Sequence, residues 1–491
     1  MKILLVQPPV TIPNTETRRC HPPLGVAYLA AVLKDDFETK ALDCIAEGFQ
    51  CEKALDGSYI RHGLSDDDIK RHISEFSPDV IGVSCLFSSQ KKNAYHICAI
   101  GKELNKNIIT ILGGAHPSTE PEDALGNKEV DFVVTGEAEL ALKELLLALR
   151  DKTLFKDVPG IGFKLDGKMT INPRRQFIQE LDELPFPYWD IFPLDKYAQI
   201  NNPHGMPAKL IPFFPVITSR GCPFECVFCS IHNLWGRVYR QRSPENIIEE
   251  LKYLSGKFGA KEILFEDDNL TLNRERAGKI FKAIIDGRLD IAWSTPNGVA
   301  VQTLDTDLLI LMKKSGCYAI SIGIESGDEY VLHSIVKKPI ELSKIKAIIK
   351  QAAILGLETT GFFVVGFPGE TRQQVKNTFI FARSLGMDNV NFFFATPLPG
   401  TRLLQLCREN NLVPEVINYE LLESSKPFYG TGPLSKAELE LMVRKERLRI
   451  YFINLLFHPK KTFSKIFHKL TYDPKYFLRF LSKLFRSKIK E

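Results

Sequence analysis

The chain has 491 residues, which is too long for one ordinary domain core and predicts roughly two to four domains. Hydrophobic residues make up 44% of the chain and charged residues 25%, a balance that excludes a disordered, collagenous or multi-spanning membrane protein. Ten cysteines are too few for a disulfide scaffold, and the N-terminus begins as a strand rather than as a signal peptide, so we expect a cytoplasmic protein.

The net charge of +5 is unevenly distributed along the chain. Residues 458–491 contain ten Lys or Arg and two acidic residues, a net charge of +8, so the rest of the chain has a net charge of −3. The basic character therefore belongs to a C-terminal tail. Charge alone does not predict a nucleic-acid partner for the whole protein.

Residues 1–150 alternate short apolar runs with helical patterns. The predicted strands are 2–7, 38–43, 79–84, 107–112 and 131–135, and the predicted helices are 24–34, 65–76, 88–104 and 138–150. The strands are rich in Val, Ile and Leu with little alternation, which is typical of parallel strands buried on both faces. This pattern predicts a doubly wound, flavodoxin- or Rossmann-like α/β domain, whose ligand crevice lies beyond the carboxyl ends of its strands.

Glycine and proline residues follow three of these strands. Pro9 comes after the first strand, Gly113 and Gly114 after the fourth, and Gly136 after the fifth. Glycine lets a backbone approach a ligand closely, although it also simply punctuates turns. Three such segments at one sheet edge favour a bound cofactor. Neither a G-x-G-x-x-G after the first strand nor a G-x-x-x-x-G-K-[ST] motif is present, which weakens a dinucleotide or P-loop interpretation.

A second series of strands follows a connector that spans residues 151–212. The connector contains a predicted hairpin around residues 166–167 and a proline-rich segment. The second series has predicted strands at 215–219, 262–266, 291–294, 319–324, 359–365 and 391–395. Six strand–helix units are fewer than the eight of a closed barrel, so residues 213–400 predict an open, partial TIM-like (β/α)6 barrel with its site at the C-terminal strand ends. Residues 401–491 form a predicted helical C-terminal region.

Three of the ten cysteines are clustered directly after the first strand of this second series. Cys222, Cys226 and Cys229 form a C-x3-C-x2-C motif, and thiolates bind zinc or iron–sulfur clusters. His232 could complete a zinc site, but structural zinc usually pairs two separated ligand couples. A [4Fe–4S] cluster held by three thiolates leaves one iron open for chemistry, so the cluster is the favoured interpretation.

The cysteine motif and its surroundings resemble the cobalamin-binding radical SAM enzymes, which use S-adenosylmethionine (SAM). The resemblance covers roughly residues 1–410. It includes two segments of the first domain, residues 22–30 (PPLGVAYLA) and 113–117 (GGAHP). Four segments after the cysteines resemble strand ends that contact SAM in that family: 265–269 (FEDDN), 321–327 (SIGIESG), 363–371 (FVVGFPGET) and 396–401 (TPLPGT).

The resemblance implies three cofactors: a [4Fe–4S] cluster on the three cysteines, SAM and cobalamin. The implied cofactor-binding residues are Pro9, Ser84, Gly113, Gly114, His116, Gly136 and Glu137 for cobalamin, and Asp267, Asp268, Glu325, Ser326 and Gly366 for SAM. The D-x-H-x-x-G motif, which supplies an axial histidine to cobalt in many cobalamin proteins, is missing. Residues 43–48 (DCIAEG) follow its outline but have Ile45 at the histidine position.

The resemblance also implies an activity. In this family SAM is cleaved reductively to a 5′-deoxyadenosyl radical, and methylating members pass a methyl group through cobalamin. We expect a C-methyltransferase acting on an unactivated carbon of a hydrophobic or biosynthetic metabolite, with a reductant such as flavodoxin or ferredoxin. Two alternatives remain open: a non-methylating radical oxidation or cyclisation, as in the anaerobic oxidative cyclase, and a non-catalytic cobalamin or redox sensor.

The C-terminal tail has two open interpretations. Apolar residues recur at helical spacing in 463–470 and in 477–485, and Asp473-Pro474 resembles a helix start before the second run. A basic helix with an aromatic face fits binding in the plane of an anionic membrane, which would favour a lipid-like or porphyrin substrate. Alternatively, the apolar face packs on the barrel and its lysines are merely solvated.

Overall fold

Two parallel β-sheets flanked by helices organise the protein, and the computed structural model describes residues 1–55, 58–205 and 207–457. The strands are β1 (Lys2–Gln7), β2 (Val10–Pro13), β3 (Glu38–Asp43), β4 (Glu52–Ala54), β5 (Tyr59–His62), β6 (Val80–Ser84), β7 (Ile109–Gly113), β8 (Phe132–Val134), β9 (Ile161–Leu165), β10 (Lys168–Ile171), β11 (Phe213–Val216), β12 (Ser219–Arg220), β13 (Arg240–Gln241), β14 (Glu262–Phe265), β15 (Ala292–Val299), β16 (Cys317–Glu325), β17 (Glu358–Val365) and β18 (Asn389–Phe394). The helices are α1 (Leu24–Leu33), α2 (Cys44–Glu47), α3 (Asp66–Phe76), α4 (Lys91–Leu104), α5 (Ala115–Thr119), α6 (Pro121–Gly126), α7 (Ala138–Asp151), α8 (Leu194–Ile200), α9 (His232–Trp235), α10 (Pro244–Phe258), α11 (Arg274–Asp286), α12 (Thr306–Lys314), α13 (Leu342–Ile354), α14 (Arg372–Ser384), α15 (Arg402–Glu409) and α16 (Lys436–Phe457).

The first sheet confirms the predicted doubly wound fold. Its parallel strands lie in the order β3-β1-β6-β7-β8, which is the 2-1-3-4-5 order of flavodoxin-like domains. Each begins and ends within two residues of its predicted bounds. The boundaries of β1, β6, β7 and β8 could be predicted because buried parallel strands have continuous apolar runs, whereas β3 is a partly exposed edge strand. In this topology the ligand crevice lies beyond the carboxyl ends of β1 and β6, where the strand order reverses.

Two parts of the first half depart from the predictions. The predicted hairpin forms as β9 and β10, but it extends the first sheet by two antiparallel strands rather than standing apart in the connector. A small antiparallel sheet of β2, β5 and β4 was not predicted. Its strand β4 is exposed throughout and polar, so it has no hydrophobic signal of the kind that predicts strands.

The second sheet confirms the open barrel. Strands β11, β14, β15, β16, β17 and β18 are parallel and lie in sequence order. The first of them ends at Val216 rather than at the predicted residue 219. The difference arises because Ser219 and Arg220 leave the barrel and pair antiparallel with Arg240 and Gln241.

One continuous apolar core includes residues of both sheets, among them Ile3, Ile111 and Trp293. Trp189, from the proline-rich connector, is fully buried in this core and packs edge-on against Phe214 of β11. The connector therefore joins the two sheets into one packed body. Helices α15 and α16 continue past the barrel, and the predicted tail helices lie outside the described residues. Among the described helices, none combines the length and the apolarity that crossing a membrane requires.

Helix α10 offers a direct test of how local sequence sets an element. Ser243 Oγ accepts a hydrogen bond from the amide of Asn246 at 3.1 Å, and Pro244 occupies the first helical position. We expect Ser243→Ala to weaken this first turn by about 1 kcal/mol. The amide of Asn246 should then exchange with deuterium about fivefold faster, as measured by mass spectrometry of the covering peptide. Ser74→Ala, at an exposed position within α3, is the control and should leave that peptide unchanged; equal exchange in wild type and Ser243→Ala would contradict the assigned cap.

Candidate functional site

The three clustered cysteines lie on a loop that starts directly after β12. Gly221 opens the loop with φ +84°, and a Cβ there would come within 2.3 Å of the Val238 carbonyl oxygen, so glycine alone fits this turn. Cys222, Cys226 and Cys229 are each partly buried. All three line one cavity of about 460 Å³ at the carboxyl ends of the barrel strands. The cysteines thus lie where the sequence predicts the site, and their role as cluster ligands stays a prediction.

Burial raises the pKa of each of these thiols. The pKa of Cys226 is raised to about 11 and that of Cys229 to about 12, while the pKa of Cys222 shifts in the same direction. The ammonium group of Lys338 opposes the shift at Cys226. Because iron and zinc bind the thiolate, metal binding must displace these protons.

The donor set fits a cluster better than a single zinc ion. Among the described residues, no three His, Cys, Asp or Glu side chains converge closely enough to hold one metal ion. His232, the residue considered as a fourth zinc ligand, lies with Nε2 2.9 Å from the Cys222 carbonyl oxygen. In a [4Fe–4S] cluster each thiolate binds a different iron, so the thiols need to surround a cavity and not a point.

One side of the cavity contains polar atoms that lack partners. Asp268 Oδ2, Asn269 Oδ1 and both amide atoms of Gln302 are buried without a hydrogen bond among the described residues. A buried polar atom left unpaired costs about 1–3 kcal/mol, so a ligand with amino, carboxylate or hydroxyl groups would satisfy this side. Burial, together with the neighbouring Asp267, raises the pKa of Asp268 to about 7.

A lysine–glutamate pair is also part of the cavity lining. Lys338 Nζ donates to Glu325 Oε1 at 2.6 Å and to the Gly323 carbonyl at 2.7 Å, and all three residues line the cavity. An ammonium group has three hydrogens, so one donor remains for a ligand. Glu325 ends β16 with φ +68°, a conformation that non-glycine residues adopt only when their surroundings stabilise it.

Another part of the cavity lining is aromatic. Five phenylalanines line it: Phe224, Phe228, Phe362, Phe393 and Phe394. The first two belong to the cysteine loop, and the other three come from β17 and β18. A pocket that combines a few polar groups with an aromatic wall is typical of sites that bind organic molecules.

Three residues implied as SAM contacts do not line the cavity. Asp267 is fully buried and accepts hydrogen bonds from the Thr218 hydroxyl at 2.7 Å and from its amide. Ser326 Oγ lies 3.0 Å from Thr378 Oγ1. The amide of Gly366, whose φ is +92°, donates a hydrogen bond to the buried carboxylate of Glu370 at 2.6 Å. These residues hold the strand ends in place, whereas Asp268 and Glu325 line the cavity.

The carboxyl edge of the first sheet brings the predicted cobalamin residues together. Ser84 and Gly113 are direct partners in register, and Pro9 is buried just after β1. A Cβ on Gly113 would meet nothing within 4 Å, so this position faces open space. At Gly114, with φ +112°, a Cβ would lie 2.6 Å from the Cys85 carbonyl oxygen, so the turn itself requires glycine there.

The side chains of two other predicted cobalamin residues are already bound by protein groups. His116 is fully buried, with Nε2 3.0 Å from Tyr95 Oη and Nδ1 3.1 Å from Ser88 Oγ. Glu137 accepts hydrogen bonds from two arginines of the second half of the chain. Each would have to give up a hydrogen bond to bind a cofactor through its side chain. Their contact with cobalamin stays a prediction.

Several cavity residues could not be found from the sequence. Lys338 and Gln302 belong to none of the segments that resemble the family. Asn269 ends one such segment, FEDDN, but nothing in the sequence distinguishes it there. Lys338 follows Glu325 by thirteen residues, after a π-helical turn that no simple periodicity predicts. Only the folded chain brings these side chains to the same cavity.

A further part of the site comes from the C-terminal region. Residues 419–424, here called the bridging segment, contact both halves of the molecule. Glu423 accepts a hydrogen bond from Tyr59 at 2.6 Å and Glu420 pairs with Lys92 at 2.7 Å, both partners being in the first half. Ser424 lines the cavity, and its carbonyl accepts a hydrogen bond from the backbone of β18.

Comparison with known proteins identifies both halves of the chain. The B12-binding domain matches residues 10–146 and the radical SAM superfamily matches residues 216–382. Cytidylyl-2-hydroxyethylphosphonate methyltransferase from Streptomyces wedmorensis is 33% identical over 86% of this chain and 84% of that protein. An uncharacterized methyltransferase from Pyrococcus horikoshii is 36% identical over 95% of both chains.

A solved structure shares the whole two-part arrangement. The radical SAM methyltransferase TsrM from Kitasatospora setae, determined with cobalamin and a [4Fe–4S] cluster bound, superposes with a TM-score of 0.67 at 17% identity. The match covers 84% of this chain and 79% of that chain. The fold, the two domain matches and the identity to the relatives agree: the chain belongs to the cobalamin-binding radical SAM enzymes, whose cofactors are a [4Fe–4S] cluster, SAM and cobalamin.

Proposed function

We propose that the protein is a C-methyltransferase that acts on an unactivated carbon of a hydrophobic small molecule. One observation supports this most strongly: the three cysteines, three residues with unpartnered polar atoms and five phenylalanines all line the same cavity. The site thereby offers a place for a cluster, for a polar cofactor and for an apolar substrate side by side. Both relatives are named as methyltransferases, which supports methyl transfer as the reaction.

The polar side of the cavity suits the methionyl and ribose groups of SAM. Asp268 and Asn269 offer acceptors, and Lys338 offers a donor with a positive charge. When bound, the cluster, SAM and cobalamin supply the electron, the radical and the methyl group of the reaction. The residues of the chain then bind and orient these groups and exclude water, while an external flavodoxin or ferredoxin supplies electrons.

The aromatic side suits the substrate. Phe362, Phe393 and Phe394 would cover an apolar molecule and leave few groups for strong hydrogen bonds. This composition favours a lipid-like or porphyrin-like metabolite over a highly charged one. Because an apolar wall also keeps water away, it would protect a reactive substrate radical from side reactions.

The products distinguish the proposed activity from its alternatives. After anaerobic reconstitution the chain should bind about four irons. With SAM and a strong reductant it should form both 5′-deoxyadenosine and S-adenosylhomocysteine, measured by liquid chromatography with mass spectrometry. Cys226→Ala should lose the cluster iron and the 5′-deoxyadenosine, because one of three thiolates is gone, while cobalamin is retained on the other domain. Cys51→Ala removes an exposed cysteine outside the cavity and should behave as wild type.

The alternatives give other product patterns in the same assay. A non-methylating oxidase or cyclase would form 5′-deoxyadenosine without S-adenosylhomocysteine. A sensor would form neither product. Stoichiometric zinc with no iron uptake in anaerobically purified protein would refute the cluster itself.

The cobalamin site can be tested at the open edge of the first sheet. Substitution of Gly114 by Leu should lower cobalamin retention, but its side chain would also collide with Cys85 and distort the turn. Gly113→Leu is the sharper variant because space is open there, so the fold should persist while the side chain occupies the crevice. Cobalamin per chain, read from the absorption spectrum after gel filtration, should fall severalfold. Gly126→Leu, also in open space but at the end of α6, is the matched control; equal retention in all three variants would remove this edge from the cobalamin site.

We also propose that the basic tail binds an anionic membrane surface. The support is its composition, ten Lys or Arg against two acidic residues with interleaved aromatic residues. Full-length protein should sediment with vesicles that contain anionic phospholipid, release with added salt and not sediment with neutral vesicles. A chain that ends after Phe457 should lose this binding. Equal sedimentation of the two chains would instead favour packing of the tail on the protein.

A further inference from the structure

A buried ion-pair cluster joins the cobalamin edge of the first sheet to the cysteine loop. Glu137 directly follows Gly136 at that edge, and its side chain is 4% exposed. Its carboxylate accepts from Arg220 at 3.0 Å and from Arg240 at 2.8 and 2.9 Å, and Oε2 also accepts from the amide of Ile178 at 2.7 Å. Arg220 stands only two residues before the first cysteine of the motif.

The guanidinium of Arg220 contacts two carboxylates and two aromatic rings. It donates to Glu139 Oε1 at 2.6 Å as well as to Glu137, both at the start of the first domain's last helix, α7. It also stacks on the rings of Tyr28 and Trp235, at 5.3 and 5.7 Å from their centres. Tyr28 belongs to the first half of the chain and Trp235 to the helix that follows the cysteines. A planar group fixed by two carboxylates and two rings has one orientation.

A second connection runs parallel to this cluster. Ser118 Oγ accepts the amide of Gly136 at 2.8 Å and donates to the Gly114 carbonyl at 2.7 Å, so it joins two turns of the predicted cobalamin edge. Arg174 donates to the Ser118 carbonyl and to the carbonyl of Asn233, which lies in α9 just after the cysteines. Both turns of the edge are thus connected to the cysteine loop, one through the buried guanidinium of Arg220 and the other through Arg174, which is exposed.

From this geometry we propose that Glu137 is a positioning residue that sets the separation between bound cobalamin and the bound cluster. The inference rests on the proposed function, because it requires both cofactors. It assigns Glu137 a role different from a direct cobalamin contact, since its oxygens are occupied by the arginines. Buried pairs of this kind are little weakened by salt, and Arg220 donates to Glu137 and Glu139 with separate nitrogens, which defines distance as well as attraction.

Glu137→Gln tests the proposal without a known substrate. The amide keeps the shape of the side chain but cannot neutralise two guanidinium groups, so the turn and the loop should separate. Protein that holds both cofactors is reduced anaerobically, and the microwave power saturation of the cob(II)alamin signal is measured by electron paramagnetic resonance. A nearby reduced cluster relaxes that signal, and the effect falls steeply with distance. In wild type the signal should saturate at much higher power than in Cys226→Ala, which lacks the cluster.

We expect Glu137→Gln to lose most of the difference in saturation power between wild type and Cys226→Ala. Its cobalamin and iron contents should equal those of wild type. Glu144→Gln is the matched control: it makes the same change within α7, in a partly exposed pair with Arg175, and should relax like wild type. Wild-type relaxation in Glu137→Gln with full cofactor content would overturn the proposal. Loss of cobalamin alone would return Glu137 to a direct cobalamin contact and likewise overturn it.

A second variant covers the case in which Glu137→Gln does not fold. Arg240→Lys keeps the positive charge but has only one nitrogen, whereas Arg240 donates to Glu137 with one guanidinium nitrogen and to the Trp235 carbonyl with the other. In this variant the cob(II)alamin signal should saturate at lower power than in wild type, with a smaller change than in Glu137→Gln. Relaxation equal to that of wild type would by itself overturn the proposal. Wild-type protein that binds both cofactors but shows no mutual relaxation would overturn this inference and leave the proposed function standing. Failure of wild type to bind cobalamin or iron would overturn both.

Discussion

Charge neutralisation at the junction of the two sheets is the constraint on which the site depends. Arg220 and Arg240 of the second half and Glu137 and Glu139 of the first half are all nearly inaccessible to water. Burying one such charge without a partner costs several kcal/mol, so neither half can keep its share of the cluster buried alone. The junction is therefore complete only when both halves are folded and docked. The first cysteine lies two residues from this junction, so the cysteine loop is shaped by both halves together.

The cavity itself follows from the parallel arrangement of the barrel strands. Parallel strands present their carboxyl ends at one edge, so loops from distant parts of the chain meet there. The cysteine loop after β12, Asp268 after β14, Glu325 at the end of β16 and Phe394 at the end of β18 all reach this edge. Three of the lining phenylalanines come from the last two strands and two from the cysteine loop, so the lining combines side chains from both ends of the sheet.

The sequence was informative where the relevant signal is local. Apolar runs predicted the parallel strands, and Ser243-Pro244 predicted the start of a helix. The spacing of Cys222, Cys226 and Cys229 indicated the cysteine loop. It was uninformative where a contact joins distant residues. Glu137 and Arg240 are separated by 103 residues, so the pairing of Glu137 with arginine cannot be read from its own surroundings, which resembled a cobalamin contact instead.

The same limit applies to Asp267 and Asp268, which are neighbours in one motif. The chain turns the first carboxylate inward to Thr218 and leaves the second facing the cavity. Their roles differ because adjacent side chains at a strand end point in different directions. Nothing in residue type distinguishes them, so a motif alone assigns both to the cofactor.

The bridging segment, residues 419–424, has an evolutionary consequence. It supplies Ser424 to the cavity but none of the cysteines, and its attachments, Glu423 to Tyr59 and Glu420 to Lys92, are side-chain contacts near the surface. Loops of this kind tolerate insertions and replacements far better than the strands they cover. A lineage could therefore adjust which molecules it modifies by rebuilding this segment, while the phenylalanines of β17 and β18 stay in place. The cysteine loop would be inherited intact, and one part of the selectivity would evolve separately from it.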